Sequence, residues 1–268
     1  MDIVSLSISL VLYVIGIIAF FVFREKYFLK SWRTLFIWIG FLFHTLAIIF
    51  RSISDGGLPL SYSYGIFMTL SWAILLAGLL ISSNIKMRML FVILVCIAFS
   101  LILIALHLSK TPQLSGQSIQ GFWFLVHVLF CLLSYGAFTL GFLASIFYLL
   151  QERQLKHKLV GPLFNRLPDL MSLDRLNTRT ILWGMACLSL GLGFGFYWSK
   201  ITHNSFLLQD PKVLASILLW ASYGVMGVLS VQHILQGKKL AIWSLIGYIG
   251  VIITFFLVNF ISQYHSYL

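Results

Sequence analysis

Seven histidines carry most of the chemistry this sequence has to offer: His44, His107, His127, His157, His203, His233 and His265. A neutral imidazole can ligate a metal through one ring nitrogen while the other makes a hydrogen bond. It is also the commonest axial ligand of haem iron, and it needs no neighbouring charge. The other use of a histidine inside a membrane helix is a hydrogen bond to a second helix, and residue type alone leaves both open. Other chemistries are thinner. Cys96, Cys131 and Cys187 fall in apolar runs with no C-x-x-C or paired spacing. A disulfide framework, a zinc site and a C-x-x-C-H haem attachment are therefore unsupported, and inert buried thiols are expected. Asp and Glu are absent from the apolar segments. That puts a Ser-His-Asp arrangement out of reach and disfavours proton or cation transport by intramembrane carboxylates. The GLGFG run, Gly191–Gly195, sits in the middle of an apolar segment. Close helix packing is expected there rather than phosphate binding.

The elements that must position these residues follow from composition. Of 268 residues, 60% are hydrophobic, 16% aromatic and only 9% charged, against about 25% charged in an average soluble domain. A soluble enzyme, a disordered chain and, despite a net charge of +11, a nucleic-acid binder are excluded. A spanning helix needs about 20 apolar residues. Eight segments qualify: Ile3–Phe23, Leu35–Phe50, Gly65–Ile81, Met89–Leu106, Gly121–Leu150, Ile181–Trp198, Val213–Gln232 and Leu240–Ile261. The second is short and is expected to extend back over Trp32. The fifth is too long for lipid, and its tail from about Phe147 is expected to emerge as continuous helix. The first run is too long for the core of a cleavable signal, and no basic stretch precedes it. One set of connections carries 14 Lys and Arg and the other carries 4. The positive-inside rule then places both termini outside and the basic connections in the cytoplasm, beside membrane lipid.

The expected fold is thus all-α: a polytopic integral membrane bundle of eight transmembrane helices, forming one domain over 1–268. The longest connection, Gln151–Arg179, is expected to be a cytoplasmic loop with at most a short helix. On this topology His44 and His127 lie about six residues below the outer ends of their helices, roughly 9 Å deep. His265 follows the last helix on the same side. His107 and His203 are also outer, and His157 and His233 cytoplasmic. The abundant Phe, Trp and Tyr would suit a flat apolar macrocycle.

Several separated blocks carry a resemblance. WFLVHVLFCLLSYGAFTLGFLASIFYLLQERQLK, Trp123–Lys156, resembles the haem-handling membrane superfamily of CcsA-type cytochrome c assembly proteins and HemX-type proteins. In that family a His opens this helix and a Ser-Tyr-Ala/Gly step follows; here these are His127 and Ser134-Tyr135-Gly136. LPDLMSLDRLNTR, Leu167–Arg179, is similar to the family's cytoplasmic LPxLxxLDxLxxR stretch. VNFISQYHSYL at the end is similar to VNxxxxxxHSYG, matching Val258, Asn259, His265, Ser266 and Tyr267. LPLSYSYGIFMTLSW, Leu58–Trp72, looks like FPLSNLYESLMFLSW. The resemblance spans about Arg51–Leu268.

The departures are informative too. The family's tryptophan-rich outer motif, WGxxWxWDPKE, corresponds to the stretch from Trp198 to Trp220, with Asp210-Pro211-Lys212 in register. Its three motif tryptophans fall on His203, Leu207 and Gln209, and its glutamate on Val213. The loop 198–213 is therefore a degenerate form, which favours the HemX-like branch. The family's His before FPLS is Gly57 and its Glu in that block is Gly65. An assembly-protein membrane histidine falls on Val228, so no ligand role passes to His233.

What the resemblance implies is a non-enzymatic haem-binding protein of a bacterial inner membrane. Haem b would be held at the outer face with iron between His127 and His265, and Trp123, Trp198 and Tyr267 would line the pocket. His44 is a further candidate ligand or donor from its depth alone. The alternative is a membrane regulator or scaffold of a haem-biosynthesis enzyme such as glutamyl-tRNA reductase. A haem exporter using His233, or a cytochrome c assembly partner, ranks behind.

Overall fold

The computed structural model describes residues 1–22, 29–60, 62–81, 87–108, 121–158, 167–204 and 209–257, with backbone alone at 29–33, 203 and 257. Among them are eight α-helices and no strand. They are α1 (Asp2–Val22), α2 (Leu29–Asp55), α3 (Ser63–Ile81), α4 (Arg88–His107), α5 (Phe122–Lys156), α6 (Leu170–His203), α7 (Pro211–Val231) and α8 (Gly237–Ile252). The chain continues past α8 through a π-helical turn, Ile253–Leu257. Every one of the eight is long and apolar enough to cross a membrane. The all-α membrane fold of eight transmembrane helices is as the sequence predicts. Lipid offers backbone groups no partners, so each span must satisfy its own as helix.

The helices group into two compact units, Met1–Gly116 and Gln117–Leu268. In the first, α1 pairs with α2 and α3 with α4. The helix α3 is apolar all round, and it is buried accordingly. Small residues set the close approaches: a Cβ on Gly40 would lie 2.7 Å from the Tyr13 ring, and one on Gly78 3.2 Å from Leu94 and Phe91. Phe41 of α2 stacks on Trp72 of α3 at 5.5 Å, while the Trp72 indole donates to Thr45 Oγ1 at 3.0 Å.

In the second unit α5 and α6 form the principal pair, with α8 against α5 and α7 against α6. The helix α5 has 35 residues, so it is about 52 Å long, while the hydrocarbon layer is about 30 Å thick. Its tail therefore leaves the lipid as continuous helix, as expected. The stretch read as the loop Gln151–Arg179 is mostly helical: α5 runs to Lys156 and α6 begins at Leu170. The cause is local. Asp169 caps α6 by accepting from the Ser172 backbone N–H at 2.8 Å. Asn177 and Thr180, polar residues at and just past the end of that stretch, are buried. Asn177 Nδ2 donates to Ser145 Oγ on α5 at 3.0 Å, and Ser244 Oγ on α8 donates to Asn177 Oδ1 at 3.1 Å. Asp174 Oδ1 accepts from the Gly237 backbone N–H at 2.7 Å and so caps α8 from another helix. At the far end of the hairpin α6 runs through Trp198 to His203, and Asn204 closes it in the left-handed region with φ of 52°. Asp210 then caps α7 ahead of Pro211, accepting from the Lys212 N–H at 2.7 Å.

Candidate functional site

The site forms on the face that α5 turns to α6. Positions 123, 127, 130 and 131 recur at helical spacing, so Trp123, His127, Phe130 and Cys131 share one stripe. Gly191, Phe194 and Gly195 of α6 lie against it. The His127 ring is half-buried, and its Nδ1–H donates to the Gly191 carbonyl oxygen at 2.7 Å. Cys131 Sγ lies 3.8 Å from the same nitrogen. A Cβ on Gly195 would stand 2.5 Å from His127 Nδ1, and one on Gly191 2.9 Å from Cys131 Sγ. The two outer glycines of GLGFG are thus the gap into which the imidazole edge and the thiol fit. Gly193 between them faces open space. The packing role expected for this run holds at Gly191 and Gly195.

Aromatic rings border the histidine. Trp123 stacks on Phe194 with centroids 5.8 Å apart and meets Tyr197 edge-on at 4.8 Å. Phe130 also packs against Phe194, with centroids 5.8 Å apart. Trp123 is 37% exposed and Tyr197 51% exposed, so this cluster presents ring surface outward. Trp198 does not: it is 5% exposed and packs on Phe124 at 5.1 Å. Lys212, at the start of α7, is within electrostatic reach of His127 and Cys131.

His44 is placed differently, in the first unit. It is fully buried, and both its ring nitrogens face protein groups. Nε2–H donates to the Met68 carbonyl at 3.2 Å, which leaves Nδ1 to accept from the Tyr13 hydroxyl at 3.3 Å. The residue ties α1, α2 and α3 together. His265 and Tyr267 lie outside the described residues. His107 sits at the end of α4, its Nδ1–H donating to the Leu103 carbonyl at 2.9 Å. His233 follows α7 with φ of 61° and pairs with Gln236.

Sequence reading missed three features. The reading of Cys131 as an inert thiol assigns it no neighbour, and it lies beside His127; the i, i+4 spacing was the available signal. Phe194 and Tyr197 gain their place only through α6. The third is a polar knot in the first unit. Arg51 Nε donates to Asp55 Oδ2 at 2.9 Å and to the Tyr62 hydroxyl at 2.7 Å, and Tyr62 donates to Asp55. Arg51 also lies 3.7 Å from Asp2 and 5.3 Å from the Tyr62 ring centre. Burial, and then the Asp55 carboxylate, pushes the Tyr62 phenol well above its ordinary range. The R-x-x-x-D spacing at 51 and 55 was the legible trace of this knot.

Among the described residues no group of three or more His, Cys, Asp or Glu side chains is placed to hold a metal ion. A porphyrin brings four nitrogen ligands of its own, so its iron asks the protein for only one or two axial groups. One half-buried imidazole, held by its other nitrogen and edged by exposed rings, fits that demand.

The chain belongs to the cytochrome c assembly protein family, whose pattern matches residues 60–265. It is a haem-related membrane protein of the HemX/CcsA type. It is 26% identical to Protein HemX of Bacillus subtilis over 265 residues, covering 96% of this chain and 95% of that one. It is 30% identical to Protein HemX of Brevibacillus brevis over 182 residues, covering 68% and 67%. It is 29% identical to the cytochrome c biogenesis protein CcsA of Prochlorococcus marinus over 251 residues, covering 84% and 80%.

Proposed function

We propose that this protein binds haem b at the outer face of a bacterial inner membrane and carries out no bond-making chemistry itself. Both termini lie outside, and the basic ends of α5 and α6 lie in the cytoplasm. His127 and His265 would hold the iron. Trp123 and Tyr267 would contribute to the pocket, and Trp198 packs on Phe124, next to Trp123 in the sequence of α5. Haem bound there would supply the iron and its redox chemistry, and these residues would orient it. The observation that supports this reading is His127 itself. It sits on the α5 stripe that the family pattern covers, half-buried, beside the exposed Trp123–Phe194–Tyr197 cluster.

The test is a visible spectrum of the purified protein, titrated with haem. A Soret band that is lost in His127→Ala and His265→Ala, with helix content unchanged, is the expected result. A colourless protein that takes up no added haem refutes the proposal.

A second reading has its own support. Arg153, Lys156 and Arg175 are exposed on the emergent ends of α5 and α6, beside the exposed Leu155 and Met171. That surface suits an acidic soluble partner, and a haem-biosynthesis enzyme such as glutamyl-tRNA reductase is the candidate. Co-purification that is abolished by reversing those three charges would support it, and recovery indifferent to them would remove it. The same reading accommodates haem as the regulated signal.

A further inference from the structure

We infer that the Gly191 carbonyl decides which nitrogen of His127 meets the iron, and that Gly191 and Gly195 are positioning residues for that ligand. The inference rests on the haem reading of His127 and deepens it. A carbonyl oxygen can only accept a hydrogen bond. The 2.7 Å contact from His127 Nδ1 to Gly191 therefore requires the proton on Nδ1. In a neutral imidazole that leaves Nε2 with a bare lone pair, the form that ligates. The thiol of Cys131, at 3.8 Å from Nδ1, is a second and weaker acceptor for the same proton. The contrast with His44 is direct: there the Met68 carbonyl takes Nε2–H and the Tyr13 hydroxyl covers Nδ1, so no lone pair is left.

The glycine run gives the lock its tolerance. Cβ atoms at 191 and 195 would press on Cys131 Sγ and on the imidazole edge, whereas one at 193 would meet nothing within 4 Å. Only the two positions facing His127 and Cys131 are closed to side chains. The backbone of α6 can therefore approach closely enough for its carbonyl to reach the ring. A hydrogen bond of this kind also makes the imidazole a stronger donor to iron.

Two measurements test it. In haem-free protein labelled with nitrogen-15 histidine, NMR reads which ring nitrogen of His127 carries the proton, the signal being identified by its loss in His127→Gln. The expected form is Nδ1–H with bare Nε2, and an Nε2–H form overturns the inference. In His127→Gly loaded with haem, two isomers of equal size replace the lost side chain. 4-Methylimidazole keeps an N–H for Gly191, and 1-methylimidazole has none. The first should restore the wild-type Soret band at a concentration about tenfold lower, since the second forfeits the hydrogen bond to the Gly191 carbonyl. Equal rescue overturns the inference. A His127→Gly protein whose spectrum is unchanged without any added imidazole instead refutes the ligand role of His127, whatever the NMR shows.

Discussion

Replacing Gly195 with alanine adds one methyl group and removes no ligand, yet it should disable haem binding. The new Cβ would stand 2.5 Å from His127 Nδ1, 2.7 Å from Cε1 and 3.2 Å from Cγ. Ordinary contacts between such atoms lie at about 3.5–4.0 Å, so the ring must retreat by about 1 Å. The same retreat carries Nδ1 away from the Gly191 carbonyl, now 2.7 Å distant, to about 3.5 Å, where little hydrogen bond remains. Overpacking costs about 1–3 kcal/mol and the lost bond about 0.5–1.5 kcal/mol. A ring that retreats loses the bond and one that stays bears the overpacking, so the loss is about 1–3 kcal/mol, or about 5- to 150-fold in affinity. The assay is haem titration in detergent or lipid nanodiscs, followed at the Soret band. Gly193→Ala is the matched control: it makes the same change two residues away into open space, and alanine favours helix there by up to about 1 kcal/mol. Gly195→Ala should lose affinity while Gly193→Ala keeps it. Equal binding by the two variants would refute the claim that the α6 glycines position His127.

Three further expectations follow from described contacts. His44→Phe removes the bonds to Tyr13 and Met68; thermal unfolding should show a loss of about 1–3 kcal/mol with the haem spectrum unchanged. Asp174→Ala removes the cap on Gly237 and should cost about 1 kcal/mol, visible as earlier melting and faster amide exchange at the start of α8. Reporter fusions should place the C-terminus outside and the α5–α6 connection inside, given 14 cationic residues on one set of connections and 4 on the other. A phosphatase fusion at the C-terminus that is inactive would reverse the topology.

The spans were legible because the bilayer imposes one rule on all of them, a run of apolar residues long enough to cross. That rule finds α1, α4 and α7 almost to the residue. It finds less at α6, whose first residues, 170–179, belong to the charged connection read as loop. Asn177 there bonds Ser145 and Ser244 on two other helices, and Thr180 donates to the Asn177 carbonyl, so only the packed unit shows that the polar groups are satisfied. The histidines were legible as chemistry but not as roles. His44 and His127 lie at similar computed depth with similar apolar neighbours in sequence. What separates them is a carbonyl on another helix, Met68 taking Nε2–H in one case and Gly191 taking Nδ1–H in the other. No periodicity encodes that choice. Arg51 was counted only as a charge marking one side, while Asp55 and Tyr62 made it a structural knot.

The helix α5 is one unbroken piece from Phe122 to Lys156. Gly141, Gly184, Gly191 and Gly195 keep it and α6 in close contact along its length. It is a shaft keyed into α6, with the imidazole mounted near one end and the exposed Lys156 at the other. A turn at the basic end would have to pull the imidazole out of the Gly195 gap and off the Gly191 carbonyl, so the same glycines that let the helices meet also fix their rotation.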